Sequence, residues 1–236
     1  MNPDKMISDE EQRERAVLQH GILPFFRNKI KGLSVEEMAS PGMLFGLTDE
    51  DYGCWEWKGP VILQQTSAYG KFFNKKAGFI SLNLLPDFLN YRRNRYPVLK
   101  GSLEESILEI VRNYEGITST DLKNVLFGKP KRRRTPEDLI DIITSEEPKR
   151  RPGIESPLQR LQMGGHLLIA NFEYKYTASG KRYGWGVALY STPEIWFGKD
   201  FDILSRTPAQ SLEFLIEEIK KIHPSADKNL IRALIS

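Results

Sequence analysis

The stretch from 102 to 190 constrains the fold most, because its capping and turn signals fix an order of elements that few architectures share. Ser102 and Glu105 form a Ser-x-x-Glu capping box, and Leu103, Ile107, Ile110, Val111 and Tyr114 follow at helical spacing up to Glu115-Gly116. Thr118 with Asp121 opens a second, short helix through Leu122, Val125, Leu126 and Phe127, which Gly128 ends. Ser156, Pro157 and Gln159 supply N-cap, N1 proline and N3 glutamine, so a helix is predicted over 156–163 with Gly164-Gly165 as its stop. Residues 166–176 then read as a strand, 178–181 as a turn and 182–190 as the returning strand. Three helices followed by a hairpin is the order of a winged helix-turn-helix. Gln159 and Arg160 would lie on its reading helix, and Lys181 and Arg182 near the tip of its wing.

The charge distribution fits such a unit better than the total charge does. With 34 basic and 31 acidic side chains the net charge is only +3, too little to hold a chain on nucleic acid by itself. Between 69 and 100, however, Lys71, Lys75, Lys76, Arg92, Arg93, Arg95 and Lys100 face the single acid Asp87, and Lys129, Lys131, Arg132, Arg133 and Arg134 crowd six residues. Segregated cations of this kind neutralise phosphates and release condensed counterions. A solvated loop and an exposed helix face are the plainer account of either cluster taken alone. The run at 129–134 also resembles a nuclear localisation signal, but phosphate contact explains the same charges.

Composition narrows the rest. At 236 residues with 40% hydrophobic content the chain can bury a sizeable core. No window approaches the roughly 18 apolar residues of a membrane helix, and the start, with Asp4, Asp9, Glu10 and Glu11, lacks the order of a signal peptide. A cytoplasmic protein without membrane contact is expected. One cysteine, Cys54, rules out an internal disulfide, and His20, His166 and His223 are too scattered to suggest zinc, so neither metal nor cofactor is expected.

Ahead of the winged unit, Ser8 with Glu11 predicts a helix running towards Ile22-Leu23-Pro24, where the proline would break or kink it, and Ser34 with Glu37 caps another. Trp55-Glu56-Trp57 reads as a strand with Glu56 turned away from both rings, paired to Lys71 or Lys75 rather than catalytic. Trp55, Trp57, Tyr69, Phe72 and Phe73 are expected mainly as core. Cys54-Trp55-Glu56-Trp57 with Tyr69-Gly70-Lys71-Phe72 also looks like the opening of an HNH nuclease, but the downstream metal ligands are missing.

The same residues, Trp55-Glu56-Trp57-Lys58, Tyr69-Gly70-Lys71, Lys75-Lys76, Phe79 to Leu82 and Leu85-Pro86-Asp87-Phe88, together with Gly116 to Ser119 and Pro157 to Gln162, resemble the AlkZ-like winged-helix proteins over roughly 50–200. That group includes DNA glycosylases. The resemblance implies tandem winged helices lining a DNA-sized groove, and double-stranded DNA as partner. Its glycosylases carry a Gln-x-Gln or Gln-x-Asp pair that positions water, and no such motif stands at the matching place here. Gln64 and Gln65 are adjacent, so on a strand they would point to opposite faces and take no such role.

The expectation is therefore an α+β, mainly helical chain. Residues 1–100 form a helical, winged-helix-like unit, 101–198 a winged helix carrying a basic insertion at 129–153, and 199–236 a helical extension. The extension holds a helix from Thr207 with Leu212, Leu215, Ile216 and Ile219 inside, and a last one led by Ser225. DNA binding is the expected function, through Lys71, Lys75, Lys76, Arg92, Arg93, Lys131, Arg132, Arg133, Arg134, Gln159, Arg160, Lys181 and Arg182. A glycosylase removing alkylated or crosslinked bases and a protein-interaction module are the rivals. No catalytic residue is assigned; Asp49, Asp51 and Glu56 are the carboxylates beside aromatic residues that an active enzyme could use.

Overall fold

The computed structural model describes residues 7–45, 53–128, 153–180, 182–201 and 205–236. Helices α1 (Glu10–His20), α2 (Val35–Met38), α5 (Leu103–Val111), α6 (Ser119–Phe127), α8 (Pro193–Phe197), α9 (Pro208–Ile222) and α10 (Lys228–Ile235) each open on a side chain that accepts a backbone N–H of the first turn: Asp9, Ser34, Ser102, Thr118, Thr192, Thr207 and Asp227. At Thr207 the box is reciprocal, with Gln210 reaching back to the Thr207 N–H. The last helix starts from Asp227, two residues beyond the expected Ser225.

Two three-stranded antiparallel sheets make the chain a mixed α and β fold rather than a mainly helical one. The first sheet is a correction to the N-terminal reading. Helix α1 stops at His20, where Gly21 at φ 67° takes a conformation open to glycine, and Ile22–Pro24 becomes strand β1 instead of a kinked helix. Pro24 is tolerated because β1 is an edge, in the order β1-β3-β2 with β2 (Ser67–Phe73) and β3 (Lys76–Ser81). Residues Cys54–Leu63 form helix α3, not a strand. Its buried Cys54, Lys58, Val61 and Ile62 follow helical spacing, and this outweighs a three-residue Trp-Glu-Trp alternation. Gln64 and Gln65 therefore leave a helix end, with Gln65 donating to the Trp196 carbonyl at 2.8 Å.

Helix α4 (Leu85–Arg95) links the halves, and the second half runs α5, β4 (Ile117–Thr118), α6, α7 (Glu155–Met163), β5 (Leu168–Tyr176) and β6 (Arg182–Ser191). Helix α7 covers the predicted 156–163 but starts one residue earlier, with Ile154 at the N-cap and no capping side chain. Gly180, at φ 79°, turns the hairpin where expected. The sheet order is β4-β6-β5. Among the described residues both halves thus repeat one pattern: helix, strand, helix, helix, strand, strand, with the last strand central.

The halves interlock. Helix α7 lies against β2, and helix α3 lies against β5, so each half lays its third helix on the other's hairpin. Gln162 joins the first contact, accepting the Lys71 N–H at 3.1 Å while donating to the Leu158 carbonyl. The larger hydrophobic core draws on residues 7–89, on Leu168, Ile169 and Ala170 of β5, and on Phe201 to Ile235; the smaller one lies under α5, α6 and α7. Helix α9 packs on α4, tied by Asp87, which accepts from Ser211 Oγ at 2.7 Å and Arg206 at 2.9 Å.

Gly78 sits where β3 passes β1: a Cβ there would lie 2.5 Å from the Phe73 ring and 2.7 Å from the Pro24 Cα. Backbone cannot swing aside as a side chain can. Gly78→Ala should destabilise the fold by about 1–3 kcal/mol, read as a lower urea midpoint at unchanged m-value; an unaltered midpoint would show that β1 yields freely.

Candidate nucleic-acid interface

The expected cations divide into three groups. Lys71, Lys75 and Lys76 are exposed on the β2–β3 hairpin, and the Gln162–Lys71 bond places that hairpin beside α7. Lys75 and Asn74 turn the hairpin at φ 68° and 47°, a pair that asparagine and glycine ordinarily occupy. Arg160 projects from α7 and pairs with Glu104 of α5 at 3.3 Å, with Gln159 half-buried next to it.

The second group is internal. Arg92 is wholly buried, donating to the carbonyls of Met163 at 2.5 Å, Phe72 at 2.9 Å, Ile235 at 3.2 Å and Ser236. Its charge clamps α4 to α7, β2 and α10, so it is not a phosphate contact. Arg93 bonds Glu194 at 2.5 Å. Arg182 lies 3.8 Å from the centre of the Tyr174 ring and pairs with Glu56 rather than leaving Glu56 to Lys71 or Lys75. The third group, Lys131, Arg132, Arg133, Arg134 and Lys181, falls outside the described residues, as do Asp49 and Asp51.

Around Glu56 the structure assembles a site that the sequence reading missed. Glu56 also accepts from the Tyr174 hydroxyl at 3.4 Å, and burial beside this carboxylate pushes Tyr174 up to about 12. Two residues on, the ammonium of Lys58 donates to the Trp55 carbonyl and lies 4.2 Å from the Trp55 ring and 4.6 Å from the Phe172 ring. Deeper still, fully buried Arg13 stands 4.6 Å from Phe79 and 5.2 Å from Phe25, donates to the Cys54 carbonyl, and leaves Nε and Nη2 without a hydrogen-bond partner. Above this layer Trp185, on β6, is 72% exposed and meets Trp55 edge-on at 6.0 Å, while Phe45, 57% exposed, meets Trp55 from another side at 6.1 Å.

Chemically this is a layered arrangement, with exposed rings above cations held by rings and carbonyls. It can stack a flat group and favour negative charge. Glu56, bonded by both Arg182 and Tyr174, would have to release them before it could activate water. Among the described residues no group of three or more His, Cys, Asp or Glu could hold a metal ion. The available signal was a charged residue on an apolar helical stripe, Arg13 four before Val17 and Lys58 four after Cys54.

Burial pushes the Lys58 ammonium down to about 8, from an ordinary lysine value of 10.5, despite the opposing pull of Glu56. The unfolded chain therefore binds the extra proton between these two values, and stability rises with pH across that window. Wild type should gain on the order of 1 kcal/mol relative to Lys58→Met between about pH 7.5 and 9.5. Denaturant titrations that keep the two proteins parallel over this range would contradict a buried ammonium.

Among the described residues no helix is long and apolar enough to cross a membrane. No curated protein matches the chain, and no solved structure does. The family model described as AlkZ related matches residues 7–236, the span that contains both halves and the closing helices. The chain belongs to the AlkZ-related family.

Proposed function

We propose that residues 101–198 are a winged helix that binds double-stranded DNA, with α7 as the reading helix and the β5–β6 hairpin as the wing. Residues 1–100 are a second such unit, and 199–236 close its core. The observation that carries this reading is the repeated element order with sheet orders β1-β3-β2 and β4-β6-β5, in a chain whose family supports a role related to DNA glycosylases. The two units differ in what they can present. Of α3, only Pro60 and Leu63 are exposed, whereas α7 turns Glu155, Ser156 and Arg160 outward. Reading DNA falls to the second unit, with the first supplying Lys71, Lys75 and Lys76 from the side.

Arg92 serves the fold, and Arg93 and Arg182 are tied to Glu194 and Glu56 with little of either exposed, which leaves phosphate contact to the three lysines, to Arg160, whose side chain stays 63% exposed beside Glu104, to Lys181 and to the 131–134 run. Trp185 offers a large exposed ring for stacking on a base. We favour binding without excision. The glycosylase motif is missing and Glu56 is held by two donors, so no described carboxylate stands ready to orient water. Formation of abasic sites on alkylated or crosslinked DNA, abolished by Asp51→Asn or Glu56→Gln, would overturn that choice.

Duplex affinity should fall steeply with salt, and replacing Lys71, Lys75 and Lys76 together by alanine should lower the slope of log K against log salt by about 2–3. An absence of duplex binding at low salt would favour the protein-interaction reading instead. Lys75→Gly separates the two roles of that position: relief of the positive φ should stabilise the fold by roughly 1 kcal/mol, while duplex binding weakens. Equal affinity of wild type and Lys75→Gly would remove Lys75 from the interface.

A further inference from the structure

On the far side of the β2–β3 hairpin a cavity of about 220 Å³ opens between the loop after β1, the hairpin turn and α10. Its floor is apolar, made by Ile30, Phe73 and Leu234 with the half-buried Phe26 and Leu230. Its rim carries Arg27, Lys29 and Lys76, and among the described residues no acidic side chain lines it. Arg27 is offset by Glu36 at 3.6 Å. Lys29 and Lys76 are exposed and take part in no ion pair among the described residues.

Hydrogen bonds within the chain hold the walls. Asn28 donates to the Leu33 carbonyl at 2.6 Å and accepts the Ile30 N–H at 2.8 Å, while Glu36 accepts the Arg27 N–H at 2.9 Å. On the opposite wall, Asn74 crosses from the hairpin turn to the Ala233 carbonyl of α10 at 3.3 Å. A preformed concavity with an apolar floor and a few convergent charges is what small-molecule sites share. Size limits the occupant: a cavity of about 150 Å³ holds benzene, and drug-sized ligands need upwards of about 300 Å³. One ring with a short substituent fits between these limits.

We propose that this cavity binds a small aromatic carboxylate, with the ring on Phe26, Phe73 and Leu234 and the carboxylate at Lys29 and Lys76. Charge complementarity selects the anion, since among the described residues two cations outside any ion pair and no acid stand at the mouth. The site is independent of DNA binding except through Lys76, which the hairpin shares with the lysine face; Lys29 belongs to the cavity alone.

The test is a ligand-observed NMR titration of the whole chain with phenylacetate, benzyl alcohol and benzylamine, each up to about 10 mM, ten times a millimolar dissociation constant. Phenylacetate should bind at least about tenfold tighter than benzyl alcohol, the worth of one charge-assisted hydrogen bond, and benzylamine should not bind. Lys29→Ala/Lys76→Ala should erase the preference for phenylacetate at an unchanged melting temperature. Ala233→Trp, which fills the mouth from the exposed face of α10, should abolish binding of phenylacetate and benzyl alcohol alike. Lys29→Ala alone should weaken phenylacetate and leave duplex DNA affinity as it was. The assignment is overturned if phenylacetate does not bind, if benzylamine binds equally well, if the double lysine variant keeps its preference, or if a short acidic peptide bearing a single phenylalanine binds more tightly than phenylacetate.

Discussion

The reciprocal docking of third helices on hairpins is the constraint from which the arrangement of the whole chain follows. Neither half buries its third helix within its own three strands alone: α3 needs β5, and α7 needs β2. Polar bonds set the register of this exchange as well as apolar packing. The Gln162 side chain is 1% exposed and spends both ends on backbone groups, and a buried amide so matched tolerates no sliding without orphaning a donor or acceptor. Glu56 and Arg182 do the same at the other contact. The exchange also decides what faces outward, since α3 is left with only Pro60 and Leu63 exposed while α7 keeps a polar outer face.

Among the described residues three cations lie within this packed interior, kept by carbonyl oxygens and ring faces rather than by carboxylates. Arg92 is held by carbonyl oxygens, Lys58 by one carbonyl and two ring faces, and Arg13 by one carbonyl and two phenyl rings, with two nitrogens left over. Guanidinium is weakly hydrated and stacks on rings, which lowers the cost of burying it without a carboxylate. Burial still draws Arg13 down to about 10, a value at which it stays charged near neutral pH. Positive potential therefore reaches from the core towards the exposed Trp185 and Phe45, and that makes the aromatic surface suited to a flat, electron-rich partner.

Much of the fold was legible in the sequence where local chemistry decides it. Ser34, Ser102, Thr118 and Thr207 cap helices because a short side-chain oxygen satisfies an orphan N–H wherever it occurs, and Gly180 turns a hairpin because it alone of its neighbours pays nothing for positive φ. Helix α3 was not legible, since Lys58 occupies an apolar position and the two tryptophans imitate a strand. Strand β1 was hidden too: three residues carry no period, and its pairing with Gly78, Phe79 and Ile80 is fixed only in space. Of the candidate site, the exposed lysines could be read from charge clustering. The Glu56–Arg182 pair could not, its partners standing 126 positions apart, and clustering could not distinguish Arg92, surrounded by carbonyls, from a cation turned to solvent.

The division of the larger core between residues 7–89 and 201–235 also bears on how the chain comes into being. A ribosome delivers the two contributions in order, separated by the whole second half. Until α9 and α10 emerge, α4 lacks the helix that packs on it, and Arg92 has no Ile235 or Ser236 to receive its donors. The second half, with its own core under α5, α6 and α7, can condense while the first waits. Synthesis would thus pass through a stage in which the later-made part is ordered and the earlier-made part exposes apolar surface, the situation in which holding chaperones act.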